Sequence, residues 1–374
     1  MKKKYMISII GLSICFSLLS VCNSDSLSSW ELMKKLVLIP GVSGYEGEVA
    51  DFIQSLFPVG IKPQRDEMEN IWFSAGEGRP HLLFVAHTDE IGLVVDQITP
   101  EGTLKVKGRG GFLAQMYEGH PVVICTDEGP VNGVVAPRTG YSQRDAGSSN
   151  FRLNDIEIHL GISSEEEARS LGIKEGNQIT IKKNVIELSP DLIATRAVDD
   201  RAGCAALLSA ASRIDWKKIK GKTVTFAWDV QEETGLFGAS RLARTLKPDY
   251  VFAVDTFVSS DTPLDEKRFA RIVLGEGAVI RAIDSSNIAP RFVLEKVMKI
   301  AGDNQIPFQL GNTRGGNDGS VFVPEGAADI PLSWPGVYSH SFIEKIHRHD
   351  LEALTRLIEA LVKDFNGVRL PKLQ

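Results

Sequence analysis

Cysteine is scarce in this sequence. The 374 residues contain four cysteines, and Cys15 and Cys22 both lie close to the N-terminus. Only Cys125 and Cys204 remain for the rest of the chain, which excludes a disulfide framework as the source of its stability. The sequence also lacks a strong excess of either charge, since its formal net charge is −6. Such a mildly acidic chain has no electrostatic footprint of nucleic-acid binding, so we expect no nucleic-acid partner.

One apolar run lies near the N-terminus and stands apart from the rest of the chain. Met6 to Val21 follows three lysines and is too short for an ordinary membrane span. It fits a signal peptide or lipoprotein leader, which we assign to residues 1–27. Cys22 follows a segment that resembles a lipobox, although Val21 departs from it. We therefore expect an exported chain, periplasmic or membrane-attached through a lipid anchor at Cys22. The alternatives are a short uncleaved anchor or a cytoplasmic protein.

The remaining chain alternates between two kinds of pattern. Residues 28–93 and 191–374 contain buried strand patterns alternating with amphipathic helix patterns, which predicts an α/β fold with a mostly parallel sheet flanked by helices. Residues 94–190 contain short β-like runs separated by turns. The sequence therefore predicts a catalytic α/β domain in two parts, interrupted by a small β-rich inserted domain.

Polar side chains recur at the predicted ends of the buried strands. His87 and Asp89 follow Leu82 to Ala86, while Glu232 and Glu233 follow Thr225 to Val230. Three further candidates are Asp199 before a helical run, Asp255 at the end of a third strand, and His340 in a YSHS segment. Because ligands of open α/β sheets collect at the carboxyl ends of the strands, we expect these side chains to lie together.

Two imidazoles and three carboxylates suit two borderline divalent cations. Asp89 is placed to fix the tautomer of His87, and Glu232 is a spare carboxylate that can serve as general base. Each element alone also has a structural explanation. A single buried histidine is usually a core residue, an Asp pair before a helix is usually a cap, and adjacent glutamates are usually solvated. The ordered set favours the metal site.

Five motifs in order resemble the tetrahedral aminopeptidase family. They are HTDEIG, VDDRAG, QEETGLFGA, VDT with DTP six residues later, and YSHS. This family, metallopeptidase family forty-two, is also known as glutamyl aminopeptidase and as cellulase or endoglucanase, and the similarity extends from Trp30 to the C-terminus. The resemblance implies a two-metal exopeptidase fold, a β-rich dimerisation domain in the insert, and a homo-oligomer, either a dimer or a dodecamer.

The resemblance also implies a role for each candidate residue. His87 and Asp255 match ligands of one metal, Glu233 and His340 match ligands of the other, and Asp199 matches the bridging carboxylate. Glu232 matches the general base and Asp89 the acid behind His87, and the Asp199–Asp200 peptide is expected to be cis. The family's cofactors are two divalent metal ions, zinc most often, with cobalt or manganese as alternatives. The implied reaction is hydrolysis of the N-terminal residue from peptides with a free N-terminus, by water activated at the two metals.

Three alternatives and one departure bear on this interpretation. GGNDG (Gly315–Gly319) stands where the family usually has GGTDA, which bears on substrate preference. A carboxypeptidase or dipeptidase of the same clan would use the same ligand order, but would carry its accessory domain later in the chain. A glycoside hydrolase would need two carboxyls and no metal. A non-catalytic binding module would have no use for Glu232.

Overall fold

The structure is a computed structural model that describes residues 28–142, 151–263 and 271–368. The predicted leader, residues 1–27 with Cys22, lies outside these ranges. Among the residues that are described, no helix combines the length and the apolar character needed to cross a membrane.

The described ranges contain seven α-helices. They are α1 (Ser29–Leu36), α2 (Gly47–Ser55), α3 (Glu165–Ser170), α4 (Val198–Arg213), α5 (Phe237–Thr245), α6 (Arg291–Asp303) and α7 (Arg348–Asp364). The sequence predicts that Ser28 caps the first helix, and its side chain accepts a hydrogen bond from the Glu31 N–H at 3.3 Å. Ser164 caps α3 in the same way. Local capping signals therefore define these two helix starts.

The strands form three separate sheets. The first part of the chain contributes β1 (Gln64–Arg65), β2 (Ile71–Ala75) and β3 (His81–His87). The middle contributes β4 (Gly92–Ile98), β5 (Leu104–Arg109), β6 (Pro121–Thr126), β7 (Gly129–Val135), β8 (Glu157–His159), β9 (Gln178–Ile181) and β10 (Val185–Ser189). The last part contributes β11 (Leu192–Thr195), β12 (Thr223–Asp229), β13 (Tyr250–Val258), β14 (Ala278–Ile283), β15 (Phe308–Asn312), β16 (Ala328–Asp329), β17 (Leu332–Gly336) and β18 (Glu344–His347).

The largest sheet has nine strands and a parallel centre. Its order is β1-β2-β12-β3-β13-β17-β14-β15, with β16 also paired to β13. The four central strands β12, β3, β13 and β17 run parallel to one another, whereas β2 and β14 join them antiparallel. This arrangement confirms the predicted α/β fold with a mixed, mostly parallel sheet, and it brings the carboxyl ends of β12, β3 and β13 to one edge.

Strand β3 shows why the central strands are apolar throughout. Leu82 and Phe84 point into the core formed with the helices on one face, and Leu83 and Val85 point into a second core on the other face. All four are fully buried. Because successive side chains of a strand point to opposite faces, a strand covered on both sides needs apolar residues at every position.

A closed antiparallel barrel lies between β3 and α4 in the chain. Its strand order is β4-β5-β8-β7-β6-β9, and it encloses its own apolar core, which includes Leu93, Val122 and Ile158. The barrel strands fall between residues 92 and 181, within or directly beside the segment 94–190 that the sequence assigns to the insert. The next strand, β10, pairs with β11, which pairs in turn with β18. The exact domain boundaries and the dimerisation role stay predictions.

Steric crowding explains the glycine at the end of the GGNDG turn. Asn317 donates a hydrogen bond from Nδ2 to Asp284 Oδ2 at 2.6 Å, and its Oδ1 accepts the N–H of Gly319 at 2.7 Å. A Cβ at position 319 would collide with the carboxylate of Asp329, which is fully buried beside it. The departure from the family pattern is therefore part of one packed group behind the turn.

Candidate metal centre

The candidate site lies at the carboxyl edge of the main sheet. His87 is the last residue of β3, and Glu232 and Glu233 follow shortly after β12 ends at Asp229. The sequence predicts that the third strand ends at Asp255, but β13 continues to Val258 because its last residues pair in register with β17. Asp255 therefore projects from within a strand, at 9% exposure.

Two overlapping groups of donor atoms form at this edge. The first contains His87, Asp199 and Asp255, whose ligand atoms all lie within 4.8 Å of one another. His87 Nε2 is 3.4 Å from Asp199 Oδ1. The second contains Asp199, Glu233 and His340, again within 4.8 Å. His340 Nε2 is 3.4 Å from Glu233 Oε2 and 3.7 Å from Asp199 Oδ2.

Asp199 belongs to both groups, with one carboxylate oxygen near each imidazole. The peptide bond between Asp199 and Asp200 is cis, as the sequence resemblance implies. Asp199 has non-helical backbone angles although it lies in the first turn of α4, so it does not act as a simple helix cap. The structure thus brings together all five residues that the sequence analysis proposes as ligands.

The electrostatics of these groups favour a bound cation. Burial, followed by the negative charge of Asp199, raises the pKa of Glu233 well above its usual value. Burial also raises the pKa of Asp255, although Arg281 opposes this shift from 3.0 Å. Burial acts upward on the pKa of Asp199 too, but the His87 imidazole outweighs it and lowers that pKa to about 2. Buried carboxylates that repel one another in this way are stabilised by divalent cations.

Asp199 also carries an oxygen to which no described residue donates a hydrogen bond, although His87 Nε2 lies 3.4 Å away. Its Oδ1 is buried and accepts no hydrogen bond from the described part of the chain. A buried carboxylate oxygen without a donor is costly, and a metal ion would satisfy it. Together with two imidazoles and two further carboxylates, this donor set fits borderline divalent cations such as Zn²⁺.

The two adjacent glutamates occupy different environments. Glu233 belongs to the second donor group, whereas Glu232 belongs to neither. Glu232 Oε2 lies 3.9 Å from His87 Nε2, and its side chain retains 16% exposure. It lines a cavity of about 400 Å³ that also exposes Asp199, Glu233, Asp255 and His340. Glu232 therefore faces the space that a substrate would occupy.

Asp89 connects three of these residues. Its Oδ1 lies 3.4 Å from His87 Nδ1 and accepts the Glu232 N–H at 3.0 Å. Its Oδ2 accepts the Glu233 N–H at 3.2 Å and the Ser43 hydroxyl at 2.5 Å. Burial would raise the pKa of Asp89, but the contacts with His87 and these donors lower it overall. Asp89 therefore lies beside His87 and fixes the backbone that carries both glutamates, while its role in orienting the imidazole stays a prediction.

Ser43 and Glu46 have the spacing of a helix-capping pair. The sequence predicts that they cap α2, but the Glu46 side chain makes no capping hydrogen bond there. Its Oε1 accepts the N–H groups of Gly44 at 2.8 Å and of Gln231 at 3.1 Å. Gln231 has a φ of 56°, a left-handed conformation that this contact helps to hold. Burial and the nearby Asp89 raise the pKa of Glu46 to about 8.

Glu344 positions the other side of the site and was not identified from the sequence. Its carboxylate accepts the N–H of Asp199 at 3.1 Å and the N–H of His340 at 3.0 Å. Arg196 lies 3.5 Å from the same carboxylate, and both side chains are buried. One buried ion pair therefore fixes the backbone of two donor residues. No local motif marks it, because Glu344 and Asp199 are far apart in the chain.

The barrel contributes directly to the site. The Gly111 carbonyl, in the loop after β5, lies 2.6 Å from His340 Nδ1. If His340 is protonated on Nδ1, this contact leaves Nε2 free to face Asp199 and Glu233. The imidazole orientation at the second donor group thus depends on a residue of the predicted insert.

The chain matches a known peptidase family. Residues 70–357 match the M42 glutamyl aminopeptidase family. The lysyl aminopeptidase of Pyrococcus furiosus is 29% identical over 343 residues, which cover 90% of this chain and 97% of that protein. The glutamyl aminopeptidase of Lactococcus lactis is 26% identical over 362 residues, which cover 92% of this chain and 99% of that protein.

A solved structure shows the same similarity. The TET1 peptidase of Pyrococcus horikoshii superposes with a TM-score of 0.84 at 37% identity, covering 90% of this chain and all of that one. That peptidase can assemble into a tetrahedron or a large octahedral shell.

We predict that Asp89→Asn weakens divalent metal binding about 10–100-fold, the usual effect of losing a group that orients a metal-binding histidine. An asparagine has one oxygen in place of two, so it cannot accept both glutamate N–H groups and also hold His87. Zinc affinity measured by competition with a chromophoric chelator tests this. Asp96→Asn serves as the matched control, because Asp96 is exposed and forms an ion pair with Lys107 at the surface. Equal zinc affinity in parent and Asp89→Asn would contradict the assignment.

Proposed function

The chain belongs to the M42 glutamyl aminopeptidase family, and we propose that this aminopeptidase works with two divalent cations, most suitably zinc, and with Glu232 as its general base. One observation carries the proposal: Asp199 is shared between two groups of donor atoms, each of which includes one histidine and one further carboxylate. Cobalt and manganese accept similar ligands and are the alternatives.

Each cation has its own set of residues in this proposal. His87 and Asp255 would hold one, Glu233 and His340 the other, and Asp199 would contact both. When bound, such a pair of cations binds the free α-amine of the substrate, polarises the scissile carbonyl and makes water a stronger acid. Recognition of the amine would restrict cleavage to the N-terminal bond and so give exopeptidase rather than endopeptidase action.

Glu232 supplies the proton transfers. Its carboxylate faces the cavity, lies outside both donor groups and is held by the contact of its N–H with Asp89. It accepts a proton from the attacking water and passes that proton to the leaving amine nitrogen as the peptide bond breaks. Asp89 keeps the His87 ring and the Glu232 backbone in a fixed relation during both transfers.

The alternatives raised by the sequence fit these observations less well. A carboxypeptidase or dipeptidase of the same clan would carry its accessory domain after the third acidic ligand, whereas the barrel lies between His87 and Asp199. A glycoside hydrolase needs only a pair of carboxyls beside the sugar. Glycoside hydrolysis by two carboxyls would not use the two histidines whose ring nitrogens face Asp199. A binding module would not need the carboxylate of Glu232 at the cavity.

We predict that Glu232→Gln lowers kcat by about 10²–10⁴-fold, the usual contribution of a general base, while metal content stays at the parent level. The substitution keeps the size of the side chain and removes its proton acceptor. The measurements are turnover of residue-anilide substrates and metal analysis of the purified protein.

Glu233→Gln is the matched control, because it alters a donor residue and should lose bound metal. Treatment of the parent with a chelator should stop turnover, and added zinc should restore it. A Glu232→Gln variant that kept most of its rate would contradict the assigned roles of the two glutamates.

We further propose that the chain forms a homo-oligomer through the inserted barrel, either a dimer or a larger shell. The support is the assembly of the related TET1 peptidase of Pyrococcus horikoshii. Light scattering should give a mass several times that of one chain, 40.9 kDa. Hydrogen exchange at decreasing concentration should then deprotect barrel residues first. A monomeric mass at all concentrations would contradict the proposal.

We also propose that the leader directs export, to the periplasm or to a membrane through lipidation of Cys22. The support is the basic and apolar pattern at the start of the chain. Each buried methylene of an acyl chain contributes about 0.8 kcal/mol to membrane binding, so lipidated chains should fractionate with membranes. Mass spectrometry of the mature N-terminus is the test, with Cys22→Ala as the soluble control. Intact chains in the cytoplasm that still begin at Met1 would contradict export.

A further inference from the structure

The cavity beside the donor groups has a second wall. Thr256, Val258, Thr262, Thr313, Gly315 and Tyr338 line it away from the candidate ligands. If the α-amine of the substrate binds at the donor groups, the side chain of its first residue is left to face this wall. The wall residues therefore determine which N-terminal residues the site accepts.

Apart from the site residues themselves, the described lining contains one charged side chain, Arg281. It is 1% exposed, and each of its three nitrogens has a partner. Nε donates to Ser333 Oγ at 2.7 Å and Nη1 to the Gly316 carbonyl at 2.8 Å. Nη2 donates to the Thr256 carbonyl and lies 3.0 Å from Asp255 Oδ2. Its charge is therefore balanced within the protein, and it offers no free partner to a substrate carboxylate.

The wall has groups that suit neutral side chains. Val258 offers an apolar contact, and Thr313 and Tyr338 add hydroxyl-bearing side chains to the lining. A hydroxyl can donate or accept, so it can satisfy a small polar group but cannot balance a full charge. Burying a charge without a partner costs far more than burying a neutral group of the same size.

We propose that this aminopeptidase prefers peptides whose first residue has a neutral side chain of aliphatic or small polar type, and discriminates against N-terminal lysine and glutamate. This rests on the proposed function, since it takes the α-amine to lie at the donor groups. This preference differs from the lysyl and glutamyl preferences in the names of two of its relatives.

Arg314 is the residue that could reverse this preference. It is exposed and lies between Thr313 and Gly315, but it is not part of the cavity lining. A glutamate preference that disappears in Arg314→Gln would show that this guanidinium reaches the substrate.

The test compares substrates of similar size that differ in side-chain charge. Norleucine against lysine, and glutamine against glutamate, are presented as residue anilides to the zinc-loaded full chain. We expect kcat/KM to favour the neutral member of each pair by at least about tenfold, because the described residues of the wall offer no partner for a charge.

A variant tests the wall directly. Val258→Asp places a carboxylate in the wall, so the lysine-to-norleucine ratio of kcat/KM should rise about tenfold or more. Val59→Asp, on the fully exposed surface, is the matched control and should leave the ratio unchanged. If Val258→Asp does not fold, Thr313→Asp makes the same change at another half-buried position of the lining.

The possible outcomes distinguish failure of this inference from failure of the proposed function on which it rests. Turnover of none of the four substrates by the zinc-loaded chain would contradict the proposed function. Turnover with lysine or glutamate equal to or above its neutral partner would overturn the neutral preference and leave the function standing. A preference for the neutral members that shifts in Val258→Asp would support both.

Discussion

The buried carboxylate of Asp89 is the constraint on which the site depends. It is fully buried and engages His87, the Ser43 hydroxyl and the N–H groups of Glu232 and Glu233. A buried charge is tolerated only when its oxygens are satisfied, so each of these contacts depends on the others. One side chain thereby fixes a donor imidazole, a donor carboxylate and the candidate base relative to one another. The two adjacent glutamates therefore hold separate positions, with Glu233 in a donor group and Glu232 outside both groups.

The same principle operates around the rest of the site, where buried carboxylates hold the backbone rather than the substrate. Glu344 accepts the N–H groups of Asp199 and His340, and Glu46 accepts that of Gln231. Each of these contacts gives a backbone N–H group an acceptor that it would otherwise lack in the protein interior. The Gly111 carbonyl adds a contact from the barrel to His340. The barrel therefore helps to position the donor groups, independently of any role in assembly.

Much of the site could be predicted from the sequence because its signals are local. A buried strand followed by a polar residue predicts a side chain at the sheet edge, and this places His87, Glu232 and Glu233 correctly. Other features could not be predicted, because they depend on contacts between distant segments. Ser43 and Glu46 have the spacing of a helix cap, yet they bind residues 46 and 185 positions away. The continuation of β13 beyond Asp255 depends likewise on its pairing with β17.

The GGNDG departure acts through the packing behind the cavity. Asn317 is fully buried and donates a hydrogen bond to Asp284. Asp284 lies 3.8 Å from Arg281 Nη1, and this arginine nitrogen also donates to the Gly316 carbonyl. The turn thus helps to balance Arg281 from the side opposite Asp255. Asp329 occupies the space that an alanine Cβ at position 319 would need. Asn317 and Asp329 therefore pack together around Gly319, and Asn317 reaches Arg281 only through Asp284. Among the described lining residues outside the donor groups and Glu232, Arg281 is the one charged side chain, and its three nitrogens are all engaged within the protein.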